Sequence, residues 1–169
     1  RMEVARRLHV LPELIREALD TYAPAAERAG MTFRFEPPAD AAQWRVPVDA
    51  ALFSRILGNL SWNAIKYGRE GTAIELSLTR SDADTCALSI GNRGEPIPAA
   101  DQAGLFAPFR VLARESSMKG FRGAGLGLAF CRMAAEAHGG AIALESPWRD
   151  HGDGVRVTLR LPCSSETAS

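Results

Sequence analysis

No apolar run in the chain approaches the roughly 20 residues that a membrane-crossing helix needs. Its first residues do not have the charged, apolar and small-residue regions of a signal peptide either. A global charge is missing as well: 20 Lys plus Arg are matched by 20 Asp plus Glu, so no basic field is present to attract nucleic acid. Phosphate binding would therefore require a local cluster. Cysteine is scarce, and Cys86, Cys131 and Cys163 show no CxxC spacing. This argues against a disulfide framework and a zinc site and fits a reducing cytosol. Cys86 and Cys131 fall within periodic apolar patterns and are expected in the core. The chain starts at Arg1 rather than methionine, which suggests a piece of something longer, with any membrane anchor outside it.

What is there suits one globular α/β domain. Of 169 residues, 46% are hydrophobic and 24% charged, enough for a real core. Pro12 suits a first helical turn, and Leu11, Leu14, Ile15, Ala18, Leu19 and Tyr22 keep helical spacing up to Gly30. Met31, Phe33 and Phe35 alternate as in a strand, ended by Pro37-Pro38; Trp44, Val46 and Val48 alternate again. Asp49 is placed to cap a long helix that runs to Tyr67 and closes at Gly68. Ile74/Leu76/Leu78 and Cys86/Leu88/Ile90 predict two strands joined by a polar link over Arg80–Thr85. Residues 91–123 hold no strong period, apart from a helical turn near Gln102–Phe106. A helix over about Ala124–His138 precedes Gly139-Gly140, and Ile142/Leu144 and Val155–Leu161 predict the last strands. Such an order most simply gives one mixed sheet with helices on one face.

Two segments carry chemistry. Within the long helix, Asn59, Asn63 and Lys66 lie at i, i+4 and i+7, a stripe roughly 60° wide beside the apolar face. Asparagine is a poor helix former, but an amide oxygen is a neutral hard ligand for Mg²⁺ and an ammonium neutralises phosphate. A solvated polar face accounts for these residues equally well. The second segment, Gly120–Leu128, is glycine-rich and leads into a helix. Its backbone N–H groups and the helix start make an anion site; the alternative is a surface loop. It is neither a dinucleotide fingerprint nor a Walker loop. Just before it, Arg110, Arg114, Lys119 and Arg122 face only Glu115, a net charge of +3. That stretch fits a lid ordered by phosphate, or a solvated basic loop.

Read together, the motifs resemble those of the catalytic and ATP-binding domain of sensor histidine kinases. Asn59-x-x-x-Asn63-Ala-x-Lys66-Tyr67 is similar to that family's asparagine box, and Asn92-Arg93-Gly94-Glu95-Pro96-Ile97-Pro98 to its first glycine box. Leu105-Phe106-Ala107-Pro108-Phe109 resembles the phenylalanine box, and Gly123-x-Gly125-Leu126-Gly127-Leu128 the second glycine box. His138-Gly139-Gly140, Gly152-x-Gly154 and Leu161-Pro162 complete the pattern. The superfamily also includes gyrase-type, heat-shock chaperone and mismatch-repair ATPases.

The resemblance implies an α+β fold of the Bergerat type: a two-layer α/β sandwich whose mixed, mostly antiparallel sheet carries about three helices on one face. Residues 11–162 would form the ATP-binding domain, residues 1–10 the end of an upstream helix or linker, and residues 163–169 a flexible tail. Asn63 would ligate Mg²⁺, with Asn59 beside it as a second candidate. Lys66 would contact phosphate, and Tyr67 would border the nucleotide. Asn92 takes the adenine-reading position, Gly94 and Ile97 line the base pocket, and Gly123, Gly125, Leu126, Gly127 and Leu128 form the phosphate loop. Arg114, Lys119 and Arg122 are candidate lid contacts.

The resemblance further implies a protein-histidine kinase domain of a two-component system, using ATP and Mg²⁺. Its partners would be a histidine-containing dimerisation domain of the same kinase and a downstream response regulator, with no nucleic acid and no direct membrane contact. A cytoplasmic location follows, the parent protein being membrane-anchored or not. Hydrolysing relatives have a glutamate where Asn59 stands, and an amide cannot take the proton from water. Slow hydrolysis and transfer to another acceptor are expected, and no residue here is assigned as general base. His9, His138 and His151 are not followed by the acid usual at the phosphoacceptor, so that histidine belongs to another domain. Asn92 and Pro96 replace the usual aspartate and glycine, a form also similar to one in phytochrome-type and hybrid kinases. The neutral acceptor is expected to cost about 1 kcal/mol of binding. Those two positions also leave room for a second reading, a degenerate nucleotide-binding or scaffold module of a kinase-like regulator.

Overall fold

The computed structural model describes residues 2–82, 84–107 and 127–163. The chain begins with a short strand, β1 (Arg7–His9), and a helix, α1 (Leu11–Arg28), followed by β2 (Thr32–Phe35), a 3-10 turn (Ala39–Gln43) and β3 (Val46–Val48). Helix α2 (Ala50–Tyr67) comes next, then β4 (Ala73–Asp82) and β5 (Thr85–Asn92). The short helix α3 (Ala99–Gln102), helix α4 (Gly127–Ala137), β6 (Ala141–Glu145) and β7 (Val155–Pro162) complete the described elements.

The main sheet has five strands in the order β2-β4-β5-β7-β6. Only β2 and β4 run parallel; the other pairs are antiparallel. Register explains why one face carries the core. Leu76 pairs with Ile90 and Ile90 with Val157; Leu78 pairs with Leu88 and Leu88 with Leu159, and all are buried. Because side chains alternate across a strand, the intervening rows (Ser77, Ser89, Thr158; Glu75, Gly91, Arg156) point to the opposite, polar face. The helices cover the apolar rows: α1 packs on β2 and α2, α2 on β5, and α4 on α2, β6 and β7. This is the mixed, mostly antiparallel α+β sandwich that the sequence predicts.

Several expectations are corrected in detail. Residues 2–10 hold no helix end: Arg7–His9 pair antiparallel with Val46–Val48, and the Ala5 amide donates to the Asp49 carboxylate at 3.1 Å. Arg80–Asp82 belong to β4 rather than to the link, with a register shift between Arg80 and Asp82. The helical turn near Gln102–Phe106 is present, the Leu105 amide donating to the Gln102 carbonyl at 3.3 Å, and a short helix not foreseen, α3, precedes it from Pro98, whose carbonyl accepts from the Asp101 amide at 2.9 Å. Cys163, assigned to the tail, is buried and its amide donates to the Asp84 carbonyl at 2.7 Å. Residues 164–169, and residues 124–126 of the last predicted helix, lie outside the described residues. Cys86, Cys131 and Cys163 are all free and buried. Among the described residues no helix is long and apolar enough to cross a membrane.

Asp49 shows how α2 is anchored. Its carboxylate accepts from the Leu52 amide at 3.1 Å, satisfying a first-turn donor. Its own amide donates to Nε2 of buried His138 at 3.0 Å, and His138 Nδ1 contacts the Ala134 carbonyl at 2.7 Å. Since Nε2 accepts, Nδ1 carries the proton, and the neutral ring ties the start of α2 to the end of α4. The backbone bonds from Ala5 and Leu52 hold the Asp49 carboxyl below its ordinary value of 3.8.

A carboxyl whose folded pKa lies below the unfolded one stabilises fully well above pH 3.8; that share fades as pH falls through 3.8 towards the folded value. Asp49→Ala is expected to cost about 1 kcal/mol through the lost cap. In thermal melts this should read as a drop of roughly 2–4 °C at neutral pH, with the gap to wild type closing on acidification below pH 3.8. An unchanged gap at low pH would show that the carboxylate is not the source.

Candidate functional site

Helix α2 places Asn59, Asn63, Lys66 and Tyr67 as the periodicity requires, half-buried beside a face made of Phe53, Ile56, Leu57, Leu60 and Ala64. Asn59 faces α4: a Cβ built on Gly127 would lie 3.5 Å from its Oδ1, an ordinary contact. Leu128, next on α4, is partly buried and packs against the core. The amide stripe and the first described turn of α4 thus meet. Gly123, Gly125 and Leu126 of the predicted phosphate loop lie outside the described residues, as do Arg114, Lys119 and Arg122 of the predicted lid. Leu105 of the third motif is buried and Phe106 half-buried, whereas Pro108 and Phe109 lie outside.

At its other end, α2 runs directly into the loop after β5. The Arg69 amide donates to the Arg93 carbonyl at 2.8 Å. Gly94, at φ +150°, lies so close that a Cβ would stand 2.6 Å from the Tyr67 carbonyl oxygen. The Gly94 carbonyl accepts from the Gly154 amide at 2.7 Å. Gly154, at φ +73°, leaves no room for a Cβ against the Asn92 carbonyl. Helix exit, β5 loop and the start of β7 are therefore joined through backbone.

Asn92, the last residue of β5, is buried, and its Nδ2 donates to the Arg93 carbonyl at 3.3 Å. That bond turns Oδ1 the other way, as the end able to accept. Ile97 is buried and held by its backbone. Its amide donates to Ser146 Oγ at 2.8 Å, and its carbonyl accepts from Gln102 Nε2 at 2.8 Å. The Ser146 hydroxyl itself donates to the Gly154 carbonyl at 2.6 Å. An open cavity of about 570 Å³ lies at this junction, lined by Lys66, Tyr67, Gly94, Glu95, Pro96 and Asp153 among others.

The sequence did not single out the ion network that braces this rim. Asp153 accepts from Arg93 Nε at 2.7 Å and Nη2 at 3.2 Å, and from Arg69 at 3.1 Å. The Arg93 bonds, helped by Arg69, hold the Asp153 carboxyl below its usual range. The available signal was an aspartate between two glycines facing two arginines distant in sequence. Lys66 Nζ stands 5.4 Å from the Tyr67 ring centroid. Among the described residues no cluster of three His, Cys, Asp or Glu could hold a metal. A divalent ion here would rely on amide oxygens and on its ligand's own oxygens, a donor set that suits Mg²⁺.

Residues 48–165 match the family described as histidine kinase-, DNA gyrase B- and HSP90-like ATPase. The alginate biosynthesis sensor protein KinB of Pseudomonas aeruginosa is 32% identical over 152 residues, 90% of this chain and 24% of KinB. The chain thus spans about a quarter of that relative's length. The solved catalytic domain of histidine kinase ThkA is 28% identical, with a TM-score of 0.77, covering 99% of this chain and all of that domain. ThkA in complex with the response regulator TrrA gives 26% identity and a TM-score of 0.75, over 98% of this chain and 44% of that one.

The glycine junction is directly testable. Gly94→Ala is expected to destabilise by more than about 1 kcal/mol, since neither its φ nor its space suits a side chain. Gly152→Ala is the control, at φ +71° with open space around it, and carries backbone strain alone. Equal melting temperatures for the two variants would mean that the contact with Tyr67 contributes nothing.

Proposed function

Since this chain belongs to the histidine kinase-, DNA gyrase B- and HSP90-like ATPase family, we propose that it is the ATP-binding catalytic domain of a two-component sensor histidine kinase. It binds Mg-ATP and gives the γ-phosphate to a histidine on a separate dimerisation domain. Residues 11–162 form the ATP-binding unit, with β1 as its attachment. The observation that carries this reading is the half-buried stripe of Asn59, Asn63 and Lys66, which meets α4 at Gly127.

Asn63, with Asn59 beside it, would hold Mg²⁺. Bound there, the ion neutralises phosphate charge. Lys66 adds a point charge for a phosphate oxygen. Tyr67 borders the nucleotide, and the buried Asn92 accepts from the adenine amine through Oδ1. Gly94 and Ile97 wall the base pocket: one leaves space and the other contributes an apolar surface. Gly123, Gly125, Leu126, Gly127 and Leu128 offer backbone donors to the phosphates, and Arg114, Lys119 and Arg122 close over them. Asn59 cannot accept a proton from water, so the domain holds the γ-phosphate rather than hydrolysing it, and transfer depends on positioning and charge. A response regulator is the downstream partner, which the ThkA–TrrA complex supports by likeness. The domain works in the cytoplasm, whether or not its parent is anchored.

Calorimetry with ATP, with and without Mg²⁺, tests the reading. Wild type should bind more tightly with the metal, and Asn63→Ala should lose at least ten-fold of that affinity, a change of about 1.4 kcal/mol. Labelled ATP plus the separated phosphoacceptor domain should then yield phosphohistidine. Absence of nucleotide binding by wild type would favour the degenerate scaffold that Asn92 and Pro96 leave open.

Asn92→Asp restores a charged acceptor and is expected to tighten ATP binding several-fold, roughly 1 kcal/mol. A weaker complex, measured by the same titration, would mean that Asn92 does not read adenine.

A further inference from the structure

Adenine and hypoxanthine differ at carbon 6, where the amine of one donates a hydrogen bond and the oxygen of the other accepts. A carboxamide could serve either base by turning over, since its oxygen accepts and its nitrogen donates. An ionised carboxylate only accepts, and its two ends are alike. What an asparagine reads is therefore decided by whatever fixes its ends. Asn92 is 4% exposed, and among the described residues its side chain bonds only to the Arg93 carbonyl, through Nδ2 at 3.3 Å. Turning the amide over would break that bond and set Oδ1 against a carbonyl oxygen, two acceptors with no proton between them.

The carbonyl is held in its turn. It accepts from the Arg69 amide at 2.8 Å. Asp153 grips the side chains of both arginines: Arg93 through Nε at 2.7 Å and Nη2 at 3.2 Å, and Arg69 at 3.1 Å. Gly154, the next residue, comes so close that a Cβ built on it would stand 3.1 Å from the Arg93 Cα. We propose that Asp153, Arg93 and Arg69 are positioning residues for base selection. By holding the Arg93 carbonyl against Nδ2 they keep Asn92 in its accepting orientation, so that the domain takes 6-aminopurine and refuses 6-oxopurine triphosphates. This rests on the ATP reading above, in which Asn92 meets the base; the other three act through it. The brace matters because the side chain is an amide. With aspartate at position 92 either end would accept, and orientation would be immaterial.

Calorimetry with the magnesium complexes of ATP and inosine triphosphate tests this, since the second carries oxygen in place of the amine. Wild type should bind ATP about ten-fold more tightly than inosine triphosphate. Asp153→Ala should narrow that ratio by roughly three-fold or more. Asp153→Asn, of the same shape, should narrow it in the same sense and gives a second measure should the alanine variant not fold. A merely structural role would lower the ratio in any background. In an Asn92→Asp background, however, Asp153→Ala should leave the ratio within about two-fold, because a carboxylate has no wrong end. An unchanged ratio on replacing Asp153 while Asn92 is in place, or an equal loss in both backgrounds, would overturn the proposal. Wild type that binds neither nucleotide would defeat the ATP reading and the proposal with it. Wild type that binds both alike would leave the ATP reading standing and defeat the proposal alone.

Discussion

The backbone contact between Gly94 and the Tyr67 carbonyl is the constraint on which the site depends. Lys66 and Tyr67 occupy the last turn of α2, and nothing in a helix alone fixes where that turn ends in space. The close approach of Gly94, the bond from Arg69 to the Arg93 carbonyl, and the bond from Gly154 to the Gly94 carbonyl do so. They make helix exit and strand ends one rigid piece, so the amide stripe and the buried Asn92 keep a fixed separation. Burial alone would set hydrophobic positions more loosely, since packing tolerates shifts that a missing Cβ does not.

Charge is arranged on the same principle. The chain is neutral overall, and the cavity rim couples Asp153 with Arg69 and Arg93. Such exposed pairs contribute little stability singly. Their geometric effect is larger: the turn carrying Gly152 and Gly154 is clamped against the loop carrying Gly94. Lys66 remains the cation of the stripe, placed beside the Tyr67 ring rather than buried in the core.

Much of this was legible in the sequence, for reasons that differ by element. The stripe on α2 could be read because 18 residues of helix carry several turns of one period. The strands β5 and β7 could be read because their apolar side chains alternate, Cys86, Leu88 and Ile90 in one and Val155, Val157, Leu159 and Leu161 in the other. Strand β1 could not: three residues, Arg-Leu-His, hold no pattern, and their pairing with β3 is tertiary. The turn near Gln102–Phe106 was legible, but the short α3 that follows Pro98 was not, because four residues carry no period. Motif order located Asn92 and Gly94, yet motifs carry no information on Asp153, whose partners lie 60 and 84 residues away. Cys131 read as core, and it is buried there.

The anchoring of α2 has a mechanical side. Ala5 bonds to Asp49 and Asp49 to His138, so the N-terminal strand is fastened to the base of a helix that carries its amides about 21 Å further along, at 1.5 Å per residue from Asp49 to Asn63. A pull or twist on the N-terminal segment is applied to the butt of a stiff rod whose far tip carries the amides proposed to meet the triphosphate. Displacement at one end of that shaft is carried to the other.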